Sequence, residues 1–213
     1  ATPLTNAEIY DPVTDTLSAT ASLGTALAFP AAVSVRQDVL LLAGGLDIAG
    51  DESRVAQVYV YDPVNHVGSW MPGVERMIEA RADHGAARLD SNEALVMGGR
   101  EADGLPSSTW EKFTWDGGTG AWTTGTELSE EHLGAVAVAV DDDEAFAGGG
   151  FENDVTVFAI QESYVFDGTG FGSPADLVSS RGWPGVVQIA GDEWLLLGGL
   201  GGTSPGVALS STE

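Results

Sequence analysis

Two short phrases recur in step along this 213-residue chain, and their spacing limits the fold more than any other feature. The first is an apolar run closed by paired glycines: VLLLAGG (39–45), EALVMGG (93–99), EAFAGGG (144–150) and EWLLLGG (193–199). The second is an aromatic-rich run closed by aspartate: AEIYDP (7–12), VYVYDP (58–63), KFTWDG (112–117) and SYVFDG (163–168). Between Asp11, Asp62, Asp116 and Asp167 the period is 51, 54 and 51 residues; between Gly44, Gly98, Gly148 and Gly198 it is 54, 50 and 50. Self-similarity of this length marks an array of supersecondary units, each needing its neighbour to cover its apolar face.

Each unit reads as four short strands. A small-residue strand (AAVSV 31–35, GAARL 85–89, GAVAVAV 134–140, GVVQIA 185–190) leads into an aspartate-bearing turn at Asp38, Asp90, Asp141–Asp143 or Asp192. The glycine-pair strand follows, then a loop of roughly ten residues, then the aromatic strand and an Asp-Pro or Asp-Gly turn, where Asx bonding and the special φ of Pro or Gly suit the bend. A fourth strand is marked by GSW (68–70) and GAW (120–122), and weakly by FGS (171–173) and DTLS (15–18). Short strands with regular turns and no helical periodicity predict an all-β chain of four-stranded antiparallel sheets. Residues 1–213 are expected to form one domain, with units near 8–58, 59–111, 112–162 and 163–213.

At these residues the sequence resembles the Kelch repeat, with its apolar run before Gly-Gly, its Tyr-Asp and its Trp. The second unit is the fullest match, VYVYDPVNHVGSW leading to RADHGAARLDSNEALVMGG. The Arg-x-x-His that opens many Kelch repeats stands at Arg81 and His84; elsewhere it reads Leu27/Pro30, Glu130/Leu133 and Arg181/Pro184. The phrase AEIYDP is similar to bacterial, exported Kelch proteins. The resemblance implies a β-propeller of four-stranded blades, about four of them in this chain, and an extracellular or cell-envelope location. Glu213 in LSSTE aligns with Glu8 and Glu162, so the chain holds four periods without remainder. Either residues 4–19 complete the blade begun by 185–199 and close a four-bladed ring, or the blades belong to a larger ring. Four lies at the small end of the propeller range, which favours the larger ring.

Composition narrows the partners. Asp and Glu number 32 against 8 Lys and Arg, a net charge of −24, and Lys112 is the only lysine. Such a surface repels nucleic-acid phosphates and anionic membranes, and no apolar run is long enough to span a bilayer. The chain has no cysteine, which removes disulfides and thiolate ligands. It also excludes the copper-radical chemistry of Kelch oxidases resembling galactose oxidase, which needs a tyrosine cross-linked to cysteine. His66, His84 and His132 stand singly, without zinc-ligand spacing. The glycine phrases lack a phosphate-loop ending, and no Gly-x-Ser-x-Gly elbow is present. Calcium is the one cofactor the residues suggest, at Asp141, Asp142, Asp143 and Glu144, although that run also reads as a solvated turn.

The loops after the glycine pairs differ strongly between units, and variable loops on a rigid scaffold are the usual place for recognition. The binding candidates are therefore Asp47, Asp51, Glu52, Arg100, Glu101, Asp103, Glu152 and Asp154. Val157 and Phe158 join them because VTVFAI (155–160) is an apolar run where a polar loop is expected, a contact surface by that reading. The function expected is a non-enzymatic binding or assembly module recognising protein or glycan. One alternative is a carbohydrate-active or other small-molecule enzyme at the channel mouth, drawing on Arg81, His84, Arg100, Glu101 and Arg181. The other is a structural subunit of a larger extracellular assembly, with further blades or subunits completing the propeller.

Overall fold

The computed structural model describes residues 2–89, 92–152, 158–191, 193–202, 207–209 and 211. Among them every regular element is a strand. Three four-stranded antiparallel sheets run in chain order. The first contains Ala31–Arg36, Val39–Ala43, Ala56–Asp62 and Val67–Trp70. The second contains Gly85–Arg88, Glu93–Met97, Trp110–Thr114 and Ala121–Thr124, and the third Val136–Asp141, Glu144–Gly148, Glu162–Phe166 and Ala175–Asp176. Two further pairs carry halves of the same pattern: Glu8–Asp11 with Thr16–Ala19 is an outer pair, and Gly185–Ala190 with Glu193–Leu197 an inner pair. These two remain separate two-stranded sheets. The outer pair leads instead into contacts with the first sheet, where the Thr20 hydroxyl meets Tyr59 Oη at 2.5 Å and Trp70 Nε1 donates to the Ala21 carbonyl at 2.8 Å.

Leading strands of successive sheets lie against one another, Ala31–Arg36 on Gly85–Arg88, that strand on Val136–Asp141, and that on Gly185–Ala190, a propeller-like succession. Alternation explains the packing: in a strand every second side chain faces one neighbouring sheet. Thus Val33, Val35, Val39 and Leu41 of the first sheet meet Ala94, Val96, Phe113 and Trp115 of the second in one buried cluster. Leu89, Leu95 and Met97 of the second meet Ala145, Tyr164 and Phe166 of the third in another. Small side chains on the leading strands and aromatic ones on the third strands fill the space between sheets, each fully buried Leu, Val or Phe contributing about 1.5–3 kcal/mol. The fourth strand of the third sheet is Ala175–Asp176 rather than FGS. FGS keeps a single antiparallel bridge, Phe171 to Phe166, and the Phe171 ring lies 5.3–5.9 Å from those of Phe166, Tyr164 and Trp110.

Glycine conformation shifts the repeat register at one place. The left-handed pairs are Gly44–Gly45, Gly98–Gly99, Gly149–Gly150 and Gly198–Gly199, so Gly149, not Gly148, is the equivalent of Gly98. Gly148 closes its strand. A Cβ on Gly98 would lie 2.3 Å from the His132 carbonyl oxygen, and φ is +62°, so both sterics and backbone demand glycine. At the opposite end of the sheets Asp11, Asp62, Asp116 and Asp167 close the outer turns by accepting amide hydrogens from Val13, Val64, Gly118 and Thr169. Hydrogen bonds from the turn hold all four carboxyls below the usual range: from the Val13 amide to Asp11, the Asn65 side chain to Asp62, the Gly120 amide to Asp116 and the Thr169 hydroxyl to Asp167.

Candidate functional site

The loops after the glycine pairs and the linkers between sheets gather at one end of the strands, and their positions are set by a repeated joint. Arg81 shows it in full. Its amide donates to the Ser53 carbonyl and its own carbonyl accepts from Gly45, both in the first sheet's loop region. Its buried guanidinium reaches into the second sheet, donating to Gly98 O at 2.6 Å, Thr109 Oγ1 at 2.9 Å and Glu111 Oε1 at 3.0 Å. Arg181 repeats this between the third sheet and the next strands: its carbonyl accepts from Gly150 and its guanidinium donates to Gly198 O at 2.8 Å. His132 does the same between the second and third sheets, its carbonyl accepting from Gly99 and Nδ1 donating to Gly149 O at 2.8 Å.

His132 is therefore the third unit's counterpart of Arg81, and the Glu130/Leu133 alignment is corrected to His132/Ala135. The backbone agrees, because the residue two places on is left-handed each time: Phe29, Asp83, Gly134 and Trp183. The signal in the sequence was a constant distance of 17 residues to the first left-handed glycine, 81 to 98, 132 to 149 and 181 to 198. The fourth such position is Leu27, buried and apolar. Burial lowers the His132 pKa, with the Gly149 hydrogen bond and the Glu162 charge acting the other way. His84 sits beside the joint with both ring nitrogens sealed from solvent and unpartnered. Desolvation first, then the Arg81 charge, brings its pKa down to about 3.

Several loop candidates hold the loops themselves. Asp47 Oδ1 accepts from the amides of Ala49, Gly50 and Asp51, and Asp103 Oδ1 from Leu105. Arg100 Nε donates to Glu52 Oε1 at 2.6 Å, tying the second unit's loop to the first unit's. Glu101 Oε1 accepts from the Ser107 hydroxyl at 2.5 Å. The five residues named for an enzyme site do not converge: Arg81 and Arg181 are buried on glycine carbonyls, His84 is enclosed, and Arg100 and Glu101 are engaged as above. Asp154 and Val157 lie outside the described residues. Asp141, Asp142 and Asp143 form the turn after Val136–Asp141 and Glu144 opens the next strand, at the end away from the loops. Among the described residues no three His, Asp or Glu side chains stand together as metal ligands.

Glu152 and Phe158 do meet at a cleft. It measures about 610 Å³ and lies between the loop of the second unit, the linker 127–131 and the loop of the third. Leu105 and Phe158 offer apolar surface on its walls, 46% and 38% exposed. Glu127, Glu130, Glu131 and Glu152 supply its charge, and no basic side chain is among the lining residues. Sequence reasoning missed the linker glutamates because it aligned Glu130 with the repeat-opening arginine and looked for recognition only in the loops after the glycine pairs. Burial raises the Glu130 pKa, helped by a hydrogen bond with Glu152 and by the charges of Glu162, Glu152 and Glu131. Behind the linker, Tyr164 Oη donates to Glu162 Oε2 at 2.5 Å and meets the Ser129 hydroxyl at 2.7 Å. Burial and the Glu162 bond push the Tyr164 phenol up to about 12, so it remains a neutral donor.

No family model and no curated protein matches the sequence. Among solved structures the chain aligns with YjhT at a TM-score of 0.68 and 12% identity, over 97% of this chain and 71% of YjhT. It is similar to YjhT in fold. At that identity the likeness describes backbone architecture, and the chemistry of the cleft rests on this chain's own residues.

Proposed function

We propose that the chain is a Kelch-type β-propeller module that binds a protein partner on its loop face, without catalysing a reaction. The cleft carries this reading: two loops and a linker from adjacent sheets meet around exposed Leu105 and Phe158, the mixture of apolar wall and polar rim that protein recognition uses. The joints at Arg81, His132 and Arg181 support it by giving variable loops a fixed base. The strong acidity suits an extracellular or salty setting. The test is a random-peptide library selected against the folded chain, then rescreened on the Leu105→Ser/Phe158→Ser variant. Binders that lose capture on the variant support the reading. Selections that yield no binders, or only binders indifferent to both substitutions, refute it.

A second reading, incorporation into a longer array of sheets, has its own observation. Val187, Ile189 and Leu197 are 48%, 55% and 38% exposed, whereas their counterparts Val33, Val35 and Ala43 lie buried against the next sheet. A contiguous apolar face of this kind is a packing surface. Solution mass before and after Val187→Glu/Ile189→Glu tests whether it is occupied by another chain; an unchanged monomeric mass would count against that.

A further inference from the structure

We infer that the cleft between the second and third units takes a cationic protein segment, an arginine or lysine flanked by apolar side chains. This rests on the loop-face reading above and adds the chemistry of the partner. Three observations carry it. First, four carboxylates, Glu127, Glu130, Glu131 and Glu152, line one cavity, and none of its described lining residues is a lysine, arginine or histidine. The intervening residues 153–157 contain none in sequence either. The basic groups close by in sequence are already engaged: Arg100 on Glu52, Arg181 on Gly198 and His132 on Gly149.

Second, Glu130 is crowded by like charge. Glu130 is hydrogen-bonded to Glu152 and stands in the field of Glu131 and Glu162, so it holds a proton more readily than an isolated glutamate. A guest cation removes that repulsion, and like-charge crowding is relieved most by a partner of opposite charge. Third, the wall is not uniformly polar. Leu105 and Phe158 remain exposed inside the same cavity. A bare metal ion has nothing to place against them and a polyamine only short methylene runs, whereas a large apolar side chain next to a basic residue fills that wall. The geometry also agrees with the ends of the fold: the acidic turn 141–144 lies away from the loops, so the cleft is a local feature and not merely a share of the net charge.

The probe is a labelled eight-residue peptide alternating arginine and leucine, with a citrulline-for-arginine version as its neutral control. The expected result is saturable binding to the intact chain, weakening as salt rises. Glu130→Gln/Glu131→Gln/Glu152→Gln should lower affinity at least tenfold. The charge-matched variant Asp141→Asn/Asp142→Asn/Glu144→Gln should change it less than twofold. Calorimetry across the acidic range, in buffers of different ionisation enthalpy, should show protons released on binding, because a guest cation opposes the upward shift of Glu130. Equal losses from the two charge-matched variants would overturn the inference, since they would show only attraction to net charge. Spermidine competing as strongly as the peptide would also overturn it, by removing the role of Leu105 and Phe158. Library-selected binders that need Leu105 and Phe158 but ignore the glutamate substitutions would sink this inference and leave the loop-face reading standing. Binders indifferent to both would sink both. Circular dichroism and melting of each variant separate loss of binding from loss of fold.

Discussion

Removing the Glu111 side chain should destabilise the protein more than any exposed substitution. Arg81 and Glu111 are both buried, and Glu111 Oε1 takes the guanidinium at 3.0 Å. The same carboxylate accepts the Ile78 amide at 2.7 Å and the Glu79 amide at 3.0 Å, fixing the linker that enters the second sheet. Glu111→Ala therefore leaves a buried cation without its carboxylate and two amides without their acceptor. Breaking one side of a buried pair costs about 3–5 kcal/mol, and each orphaned amide contributes about 1 kcal/mol or more of that loss. Gly98 O and Thr109 still accept from Arg81, which places the expectation near the lower figure, about 3 kcal/mol. Glu111→Gln keeps the side chain's shape and one acceptor oxygen, while its amide nitrogen faces a donor, so it should lose less than Glu111→Ala without matching the parent. Combined with Arg81→Met, the Glu111→Ala loss should shrink by about 2 kcal/mol, because the stranded charge is gone. Urea unfolding followed by tryptophan emission measures this, with Trp110 and Trp115 on and just after the same strand as Glu111. The slope must stay constant for the comparison to hold. A loss below about 1 kcal/mol for Glu111→Ala, or additivity of the two substitutions, would refute the buried-pair account.

Three other perturbations follow from the joints. The folded-state pKa of His84 is lowered from 6.5 to about 3, so on acidification the unfolded chain takes up the proton first. Its contribution to stability is complete only well above pH 6.5 and declines as the pH falls toward 3, a loss on the order of a few kcal/mol across that window. His84→Leu should flatten the pH–stability curve in that window, and an unchanged curve would rule out His84 as its source. Gly98→Ala, with its added methyl 2.3 Å from a carbonyl oxygen, should cost clearly more than Gly104→Ala. The second glycine is also left-handed but has nothing within 4 Å of such a methyl, so its loss should stay near the backbone penalty of about 1–2 kcal/mol in melting experiments. His132→Leu copies Leu27 and should cost about 1–2 kcal/mol by deleting the bond to Gly149 O. It should also weaken peptide binding at the cleft, since Glu130 and Glu131 precede it directly; affinity within twofold of the parent would separate joint from site.

The strand order was legible because it rests on local chemistry: paired glycines, Asp-Pro turns and alternating apolar residues have the same physical meaning in every unit. The first sheet follows that reading residue for residue through Ala31–Arg36, Val39–Ala43, Ala56–Asp62 and Val67–Trp70. Where a phrase was weak, the strand shrank: FGS keeps one bridge to Phe166 while the Phe171 ring packs in the aromatic cluster. The site was legible only in part. Loop variability pointed to Glu152 and Phe158, but it could not separate them from Asp47 and Asp103, which serve their own turns. Glu130 and Glu131 were hidden because their meaning comes from a cavity wall contributed by another unit. His132 was hidden for a different reason, since Arg and His share a role here without sharing a pattern.

That interchange of Arg81, His132 and Arg181 bears on how a scaffold of this kind diversifies. The joint uses mostly main-chain groups, a carbonyl accepting from the second glycine and a strand-end carbonyl receiving the side chain. Any donor long enough to reach that carbonyl suffices, so the position tolerates change without losing the angle between sheets. The residues immediately before it and after the glycine pair are then free to vary, and in the third unit these are Glu130, Glu131 and Glu152. On the reading proposed above, recognition and assembly occupy the same short segments, separated by one or two residues. A rigid joint then holds Glu130 beside Glu152, the like-charged neighbour to which it is hydrogen-bonded, as a preformed feature of the cleft rather than one of many loop conformations.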